Sequence, residues 1–284
     1  MMSPILDLKQ THPGLEQKRN GKIKISAKSR SNTAIRWLLV SLAAITVIAL
    51  LTFDYKDIDF GKAVLDTLHN IKTVFLTPRL TRGTLGDVLH ELFVTFCLGA
   101  LSTILGMVLA FFCALLCAGN IANPKAAAVI KSIVALVRAV PTVLWVLIFA
   151  VSAGLGSVAA VVGLTFHSFA YLTKVYAESI EEIDKGTIEA LKASGASFGQ
   201  IVTQAILPSC LSSLIAWTFM RFEINFTNAV AMGAAAGAGG IGFNLFMAGS
   251  FYFDLHEMGF LTYVVVIAVV LLEMVFTKIK AKAK

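Results

Sequence analysis

The sequence predicts an all-α, polytopic membrane protein with about six transmembrane helices, and three observations carry that expectation. Of its 284 residues, 57% are hydrophobic and only 14% are charged, with a mean hydropathy of +0.80. That is too little charge for a soluble domain of this size. Residues 92–118 hold no charged side chain and 34–53 hold only Arg36, and apolar runs of this length read as bilayer crossings. The net charge of +7 is concentrated at the two ends of the chain, which fits the positive-inside rule better than a nucleic-acid surface.

Residues 1–33 hold seven Lys or Arg against two acids, with Pro4, Pro13, Gly14 and no apolar period, the composition of a disordered cytoplasmic tail. This start is not an apolar leader, and the first span, 34–53, is long enough to stay as an anchor. Residues 54–87 form an external polar segment with five basic and five acidic groups, long enough for an amphipathic piece. The remainder, 88–284, begins with a second span over 88–118. Its Gly99, Thr103, Gly106 and Ala110 recur at helical steps and suit close helix packing.

Residues 119–138 carry Lys125, Lys131 and Arg138 and no acid. Asn123-Pro124 is a helix start, and Ile130, Ile133, Val134 and Val137 make one apolar face, so an interfacial helix should lead into the third span. The third span (137–153) and the fourth (158–175) are separated by Gly154 and Gly156, which mark a short outer turn. The fifth covers about 207–232 and the sixth about 258–277. The segment 233–257 lacks Lys and Arg, whereas Lys278, Lys280, Lys282 and Lys284 close the chain. Six spans with both termini cytoplasmic, in a cell membrane, satisfy every loop.

Between the fourth and fifth spans lies a stretch that looks soluble, the loop 178–206. Thr187 is a candidate cap for a helix of about seven residues with Glu189 in its first turn. Gly195 supplies a stop, and Ser197-Phe198-Gly199-Gln200 is a capping box for a second helix, with Pro208 where that helix reaches the bilayer. Ile188 and Leu191 share one face and Phe198 and Ile201 another. So short a first helix is unstable alone and must lean on something. An ordinary interfacial loop is the other reading.

No motif for catalysis is present. There is no phosphate-cradling G-x-x-x-x-G-K-[ST], no HExxH and no Cys/His cluster, so any use of ATP must come through a partner. Cys97, Cys113, Cys117 and Cys210 show neither metal nor disulfide spacing and read as small apolar fillers. Gly237-Ala238-Gly239-Gly240-Ile241-Gly242 matches a dinucleotide fingerprint letter for letter, but no strand precedes it. Gly237, Gly239, Gly240 and Gly242 instead permit tight turns and close backbone approach, or an outer gate.

Charged residues inside a span are costly and need water or a partner. Arg221 and Glu223 fall near the middle of the fifth span, two apart and so on different faces. Asn225 shares the face of Arg221. They either line an anion-tolerant pathway or make contacts between helices or chains. His167, in the fourth span, is a packing histidine or a further pathway group.

Glu189, Ala190, Gly195, Leu207 and Pro208 stand in the register of the EAA loop of ATP-binding-cassette importer permeases, which this stretch resembles. Leu191 replaces the usual second Ala, and Ala205 stands where Ile is common. Arg138-Ala139-Val140-Pro141, the acidic 178–184, Arg221-Phe222-Glu223-Ile224-Asn225 and the glycine segment follow in the order seen in phosphonate importer permeases. The resemblance covers about 85–277. Methionine importer permeases are similar in the Arg-x-x-Pro, EAA and glycine parts and less so at 221–225. Thr227 departs from the phosphonate pattern, which often has Arg there. The resemblance implies a type I importer permease fold and two permease copies, in a homodimer. It also implies two ATPase subunits carrying ATP and Mg, an extracytoplasmic solute-binding protein, and no cofactor or metal in this chain. Glu189, Ala190, Leu191, Gly195, Ala196, Ser197, Phe198 and Gln200 would couple to the ATPase, driving uptake by alternating access. Phosphonate, phosphite, phosphate ester or amino acid all stay open as substrates, and the rival classes are a gradient-driven transporter and a purely structural subunit.

Overall fold

The computed structural model describes residues 15–17, 23–25, 30–53 and 58–282, and the chain divides into two units, Met1–Ala63 and Val64–Lys284. In the first, β1 (Leu15–Gln17) pairs antiparallel with β2 (Ile23–Ile25), Leu15 opposite Ile25 and Gln17 opposite Ile23. Two short pieces of the tail expected to be disordered are therefore paired; the rest of it lies outside the described residues. Helix α1 (Arg30–Thr52) is apolar on all sides, and its side chains from Asn32 to Thr52 are exposed. A helix of that kind belongs in lipid or against another apolar surface.

Helix α2 (Phe60–Leu76) is the amphipathic piece expected within 54–87; its Val74 carbonyl lies where a Cβ on Gly259 would sit. Helix α3 (Leu85–Cys117) opens with a capping box: the Thr84 N–H donates to Asp87 at 2.7 Å and the Asp87 N–H donates back to Thr84 Oγ1 at 3.3 Å. Its 33 residues reach about 50 Å, more than the roughly 30 Å hydrocarbon core. The small-residue stripe is buried. A Cβ on Gly106 would meet Ser168 at 2.7 Å and one on Gly99 would meet the Phe226 backbone at 3.0 Å.

Helix α4 (Pro124–Ala139) starts on Asn123, whose side chain accepts from the Lys125 N–H at 3.0 Å. It meets α5 (Thr142–Ala153) at 90°. Pro141 has no N–H to give and holds Val140 extended (φ −87°, ψ 125°), so the helix cannot run on. The third span expected over 137–153 is thereby corrected. Its straight part is the 12 residues of α5, about 18 Å and too short to cross alone.

Helix α6 (Ser157–Glu181) is the most enclosed, with α3, α4, α5 and α8 around it. Gly163 admits α5 to contact, since a Cβ there would lie 2.6 Å from the Val146 backbone. Short α7 (Lys185–Ala193) leads to α8 (Phe198–Ala236), which has a π turn at Val202–Ile206. Pro208 lies inside α8. The Leu207 N–H donates to Val202, five residues back, and this widened turn stands immediately before a residue that cannot donate. Helices α9 (Gly240–Phe251) and α10 (Leu255–Lys282) complete the fold. Five of these helices (α1, α3, α6, α8, α10) are long and apolar enough to cross a bilayer, or six crossings if α4 and α5 form one.

Candidate functional site

The loop between α6 and α8 is built by local chemistry. Asp184, not Thr187, caps α7; its carboxylate accepts from the Thr187 N–H at 3.1 Å, and the helix has nine residues rather than about seven. Two capping residues stand three apart here, and the upstream one gains the helix N–H groups. At the other end, Gly195 has φ +82°. The Ala196 N–H donates to Leu191 O and the Gly195 N–H to Lys192 O, both at 3.0 Å, a Schellman close. Ser197 then starts α8 as expected: the Ser197 N–H donates to Gln200 Oε1 at 2.7 Å and the Gln200 N–H to Ser197 Oγ at 3.4 Å.

This loop leans on the membrane core. Ile188 is 1% exposed and Ile201 3%, both in the cluster formed by Leu172, Tyr176, Ile180 and Ile206, with Leu191 and Ala196 packed beside it. Burying one such side chain contributes about 1.5–3 kcal/mol. Phe198 does not share the buried face of Ile201; it is 52% exposed. Glu189, Ala190, Ser197, Phe198, Gly199 and Gln200 present an open surface.

Deep in the bundle a second group forms. Arg221 is 2% and Asn225 0% exposed. Arg221 donates from Nε to Ser168 Oγ at 2.9 Å and from Nη2 to His167 Nδ1 at 2.9 Å, and its guanidinium lies 5.3 Å from the Tyr171 ring. A donating arginine requires His167 to accept at Nδ1, so the ring is neutral with its proton on Nε2. Asn225 donates from Nδ2 to Thr103 Oγ1 and Ser168 Oγ, both at 2.8 Å, joining α3, α6 and α8. Of the residues singled out in the sequence, Arg221, Asn225 and His167 are brought together, whereas Glu223 faces elsewhere and is half-buried.

The glycine segment packs tightly. Gly237, Gly239 and Gly240 have φ of +60°, +79° and +71°, which side chains rarely adopt. A Cβ on Gly242 would lie 1.8 Å from Val230 O, and the Ile241 N–H donates to Thr95 Oγ1 at 3.0 Å, so α9 sits directly on α8 and α3.

The family model described as "Binding-protein-dependent transport system inner membrane component" matches residues 74–280, from the end of α2 through nearly all of α10. The chain belongs to this family. This permease is 30% identical over 153 residues to the phosphate-import permease protein PhnE of Mycolicibacterium smegmatis, covering 54% of the chain and 29% of that protein. It is 32% identical over 158 residues to the phosphite transport system permease protein PtxC of Stutzerimonas stutzeri, 55% of the chain and 57% of the relative. Against the probable D-methionine transport system permease protein MetI of Pasteurella multocida it is 28% identical over 211 residues, 72% and 95% of the two chains. The permease spans less than two thirds of the length of the first two relatives. Its fold matches that of an inward-facing MetNI methionine ABC transporter chain with a TM-score of 0.65 and 24% identity, over 72% of this chain and all of that one.

Sequence reasoning missed two contacts in this permease. On one side, Arg82 Nη1 donates to Glu257 Oε2 at 2.8 Å, lies 3.6 Å from Asp254 Oδ2 and covers the Tyr252 ring at 3.9 Å. The signal was available: Arg79 and Arg82 precede α3, and Asp254 and Glu257 stand in a segment without Lys or Arg. On the other side, Glu181 Oε1 accepts from Lys131 Nζ at 2.8 Å and the Gly119 N–H at 2.7 Å, fastening α4 and the end of α3 to α6.

Proposed function

We propose that this permease takes up a phosphorus oxyanion, of the phosphonate or phosphite kind, by ATP-driven alternating access. The observation that carries the substrate class is Arg221, a cation buried at mid-bundle whose described partners are a hydroxyl, a neutral imidazole and an aromatic face. An uncompensated cation in a bilayer-spanning core is a ready seat for negative charge. The phosphate- and phosphite-transport names of the relatives support the same class.

In this reading the exposed face of Glu189–Gln200 is gripped by one of two ATPase subunits, which carry the ATP and Mg. Movement of α7 reaches α6 and α8 through Ile188 and Ile201, because both pack in one core with Leu172 and Ile206; packed elements of this kind pass a shift on as a unit. An extracytoplasmic binding protein delivers the ligand between two copies of the permease, and Gly237–Gly242 closes the outer end. Both termini then lie in the cytoplasm, with the end of α10 at the inner surface. A methionine-type amino acid is the second reading, supported by the relative matched over 95% of its length.

The experiment is reconstitution of the permease with its ATPase and binding protein in proteoliposomes. ATP-dependent uptake of a labelled phosphonate or phosphite, with methionine ignored, is the expected result. Uptake that persists without ATP or ATPase would overturn the importer reading, and uptake of methionine alone would overturn the substrate.

A further inference from the structure

A cavity of about 230 Å³, whose lining does not include Arg221, opens between α4 and α6 at the end of α6 that leads into α7. Its cations are Lys131, Arg138 and Lys174, and its carboxylates are Glu178 and Glu181. Lys131 is held by Glu181 at 2.8 Å and Lys174 faces Glu178 at 3.4 Å. The charge of Glu181 is met a second time by the Gly119 N–H. Arg138, half-buried in the last turn of α4, is left over: no carboxylate among the described residues pairs with it. The remaining wall includes Val134, Ala135 and Ala177, so the guanidinium stands at the edge of an apolar surface.

We infer that this cavity binds an anionic phosphoryl group, carried by a lipid headgroup or free in solution. The reasons are chemical. A guanidinium presents a planar fork of donors that matches two phosphate oxygens. Each lysine is matched by a carboxylate, so three cations against two carboxylates leave one positive charge in excess, that of Arg138. The position is also right: α4 turns 90° from α5, and the cavity occupies the last turns of α6, where a spanning helix reaches the headgroup layer. Basic pockets between helices at that level are where anionic headgroups are recognised. An occupant would tie α4 to α6 one turn from the α7 loop. Arg221 is not among the residues that line the cavity, whose occupation does not depend on which ligand is transported.

The full-length chain in phosphatidylcholine nanodiscs is titrated with inorganic phosphate. In parallel, nanodiscs containing phosphatidylglycerol as a minor component are analysed by native mass spectrometry for retained lipid. Arg138→Gln should weaken whichever ligand binds by roughly fivefold, the effect of one surface cation. Lys125→Gln, on the same helix outside the cavity, should leave it unchanged. Selective retention of phosphatidylglycerol that Arg138→Gln weakens to this extent identifies a headgroup; saturable phosphate binding weakened likewise in the same variant identifies a free oxyanion. Arg138→Lys, which keeps the charge, should retain most of the binding at an unchanged melting temperature. Equal retention of both lipids with no saturable phosphate binding overturns the inference, as does an Arg138→Gln protein that binds like the parent. Loss of transport in Arg221→Gln with this binding intact separates the fate of the two sites.

Discussion

Arg221 Nε lies 2.9 Å from Ser168 Oγ, a charged donor on a hydroxyl that already donates to Leu164 O at 2.6 Å. Ser168 also serves Asn225, so one hydroxyl stands between the cation and the amide that bridges to Thr103. The arrangement holds the guanidinium in place without neutralising it.

Arg221→Met separates a ligand seat from a structural contact. A buried cation whose described partners are neutral costs desolvation energy that a Met of similar length does not. Thermal stability should therefore stay level or rise. Oxyanion uptake should fall by about ten- to hundredfold, the scale of a lost charged hydrogen bond. A variant that melts early but, once folded, transports at the parental rate would make Arg221 structural.

Asn225 works the other way. It is fully buried and spends its amide on Thr103 and Ser168. Asn225→Leu should destabilise the bundle by about 1–2 kcal/mol and Thr103→Val by less than about 1 kcal/mol, the range for interhelical hydrogen bonds in membranes. The two effects should be non-additive in a double-mutant cycle read by thermal melting of the purified chain.

The parts legible in the sequence were those set by neighbours. Asn123-Pro124 and Ser197…Gln200 are local caps, and the structure forms both. Thr187 lost to Asp184 because the competition between two caps is decided by which one faces the first N–H groups, a matter of one helical turn. The helix expected over 119–138 forms as α4, and only the start of the span after it moves, from 137 to Thr142, because Pro141 parts the two. Pairings across the bundle were not legible: Arg221 meets Ser168 across 53 residues, and Arg82 meets Glu257 across 175. Span periodicity assigns such residues to a depth and leaves the partner open.

In the loop between α6 and α8, glycines divide into those that are required and those that are tolerated. Gly195 has φ +82°, whereas Gly199 is helical, and a Cβ added there would meet nothing within 4 Å. Gly195→Ala should cost about 1–2 kcal/mol in the αL position and loosen the hold of the ATPase, seen as reduced co-purification. Gly199→Ala should be neutral or stabilising by up to about 1 kcal/mol. Ile188→Asp, placing a charge in the shared core, should abolish ATP-driven uptake.

Acid should open the contact between Arg82 and the start of α10. The hydroxyl of Thr81 donates to Asp254 at 2.6 Å, and this hydrogen bond, with two backbone N–H groups and Arg82, holds the Asp254 carboxyl below its ordinary value of 3.8. A carboxyl whose folded pKa is depressed contributes stability that is complete above its unfolded value and is lost as pH falls through the folded one. The melting temperature should therefore drop on acidification below about pH 4, and Asp254→Asn should flatten that part of the profile. An unchanged acid limb in the variant would show that other carboxyls set it.

Gly242→Ala tests whether the glycine segment is packed or loose. A Cβ at 242 would stand 1.8 Å from the Val230 carbonyl oxygen, and one at Gly233 would stand 2.6 Å from the Phe243 nitrogen. Both clashes are with backbone, so no side chain can swing away and α9 must lift from α8. The cost should be about 3 kcal/mol, at the upper end for overpacking. Lifting α9 would also stretch the 3.0 Å bond from the Ile241 N–H to Thr95, so Thr95→Val in the Gly242→Ala background should add less than it does alone. Gly237→Ala meets no atom but carries φ +60°, and its smaller cost of about 1–2 kcal/mol is purely conformational. Melting curves of the single variants should rank Gly242→Ala lowest. If the order reverses, α9 is mobile on α8, and the glycine segment moves freely instead of being clamped by contact.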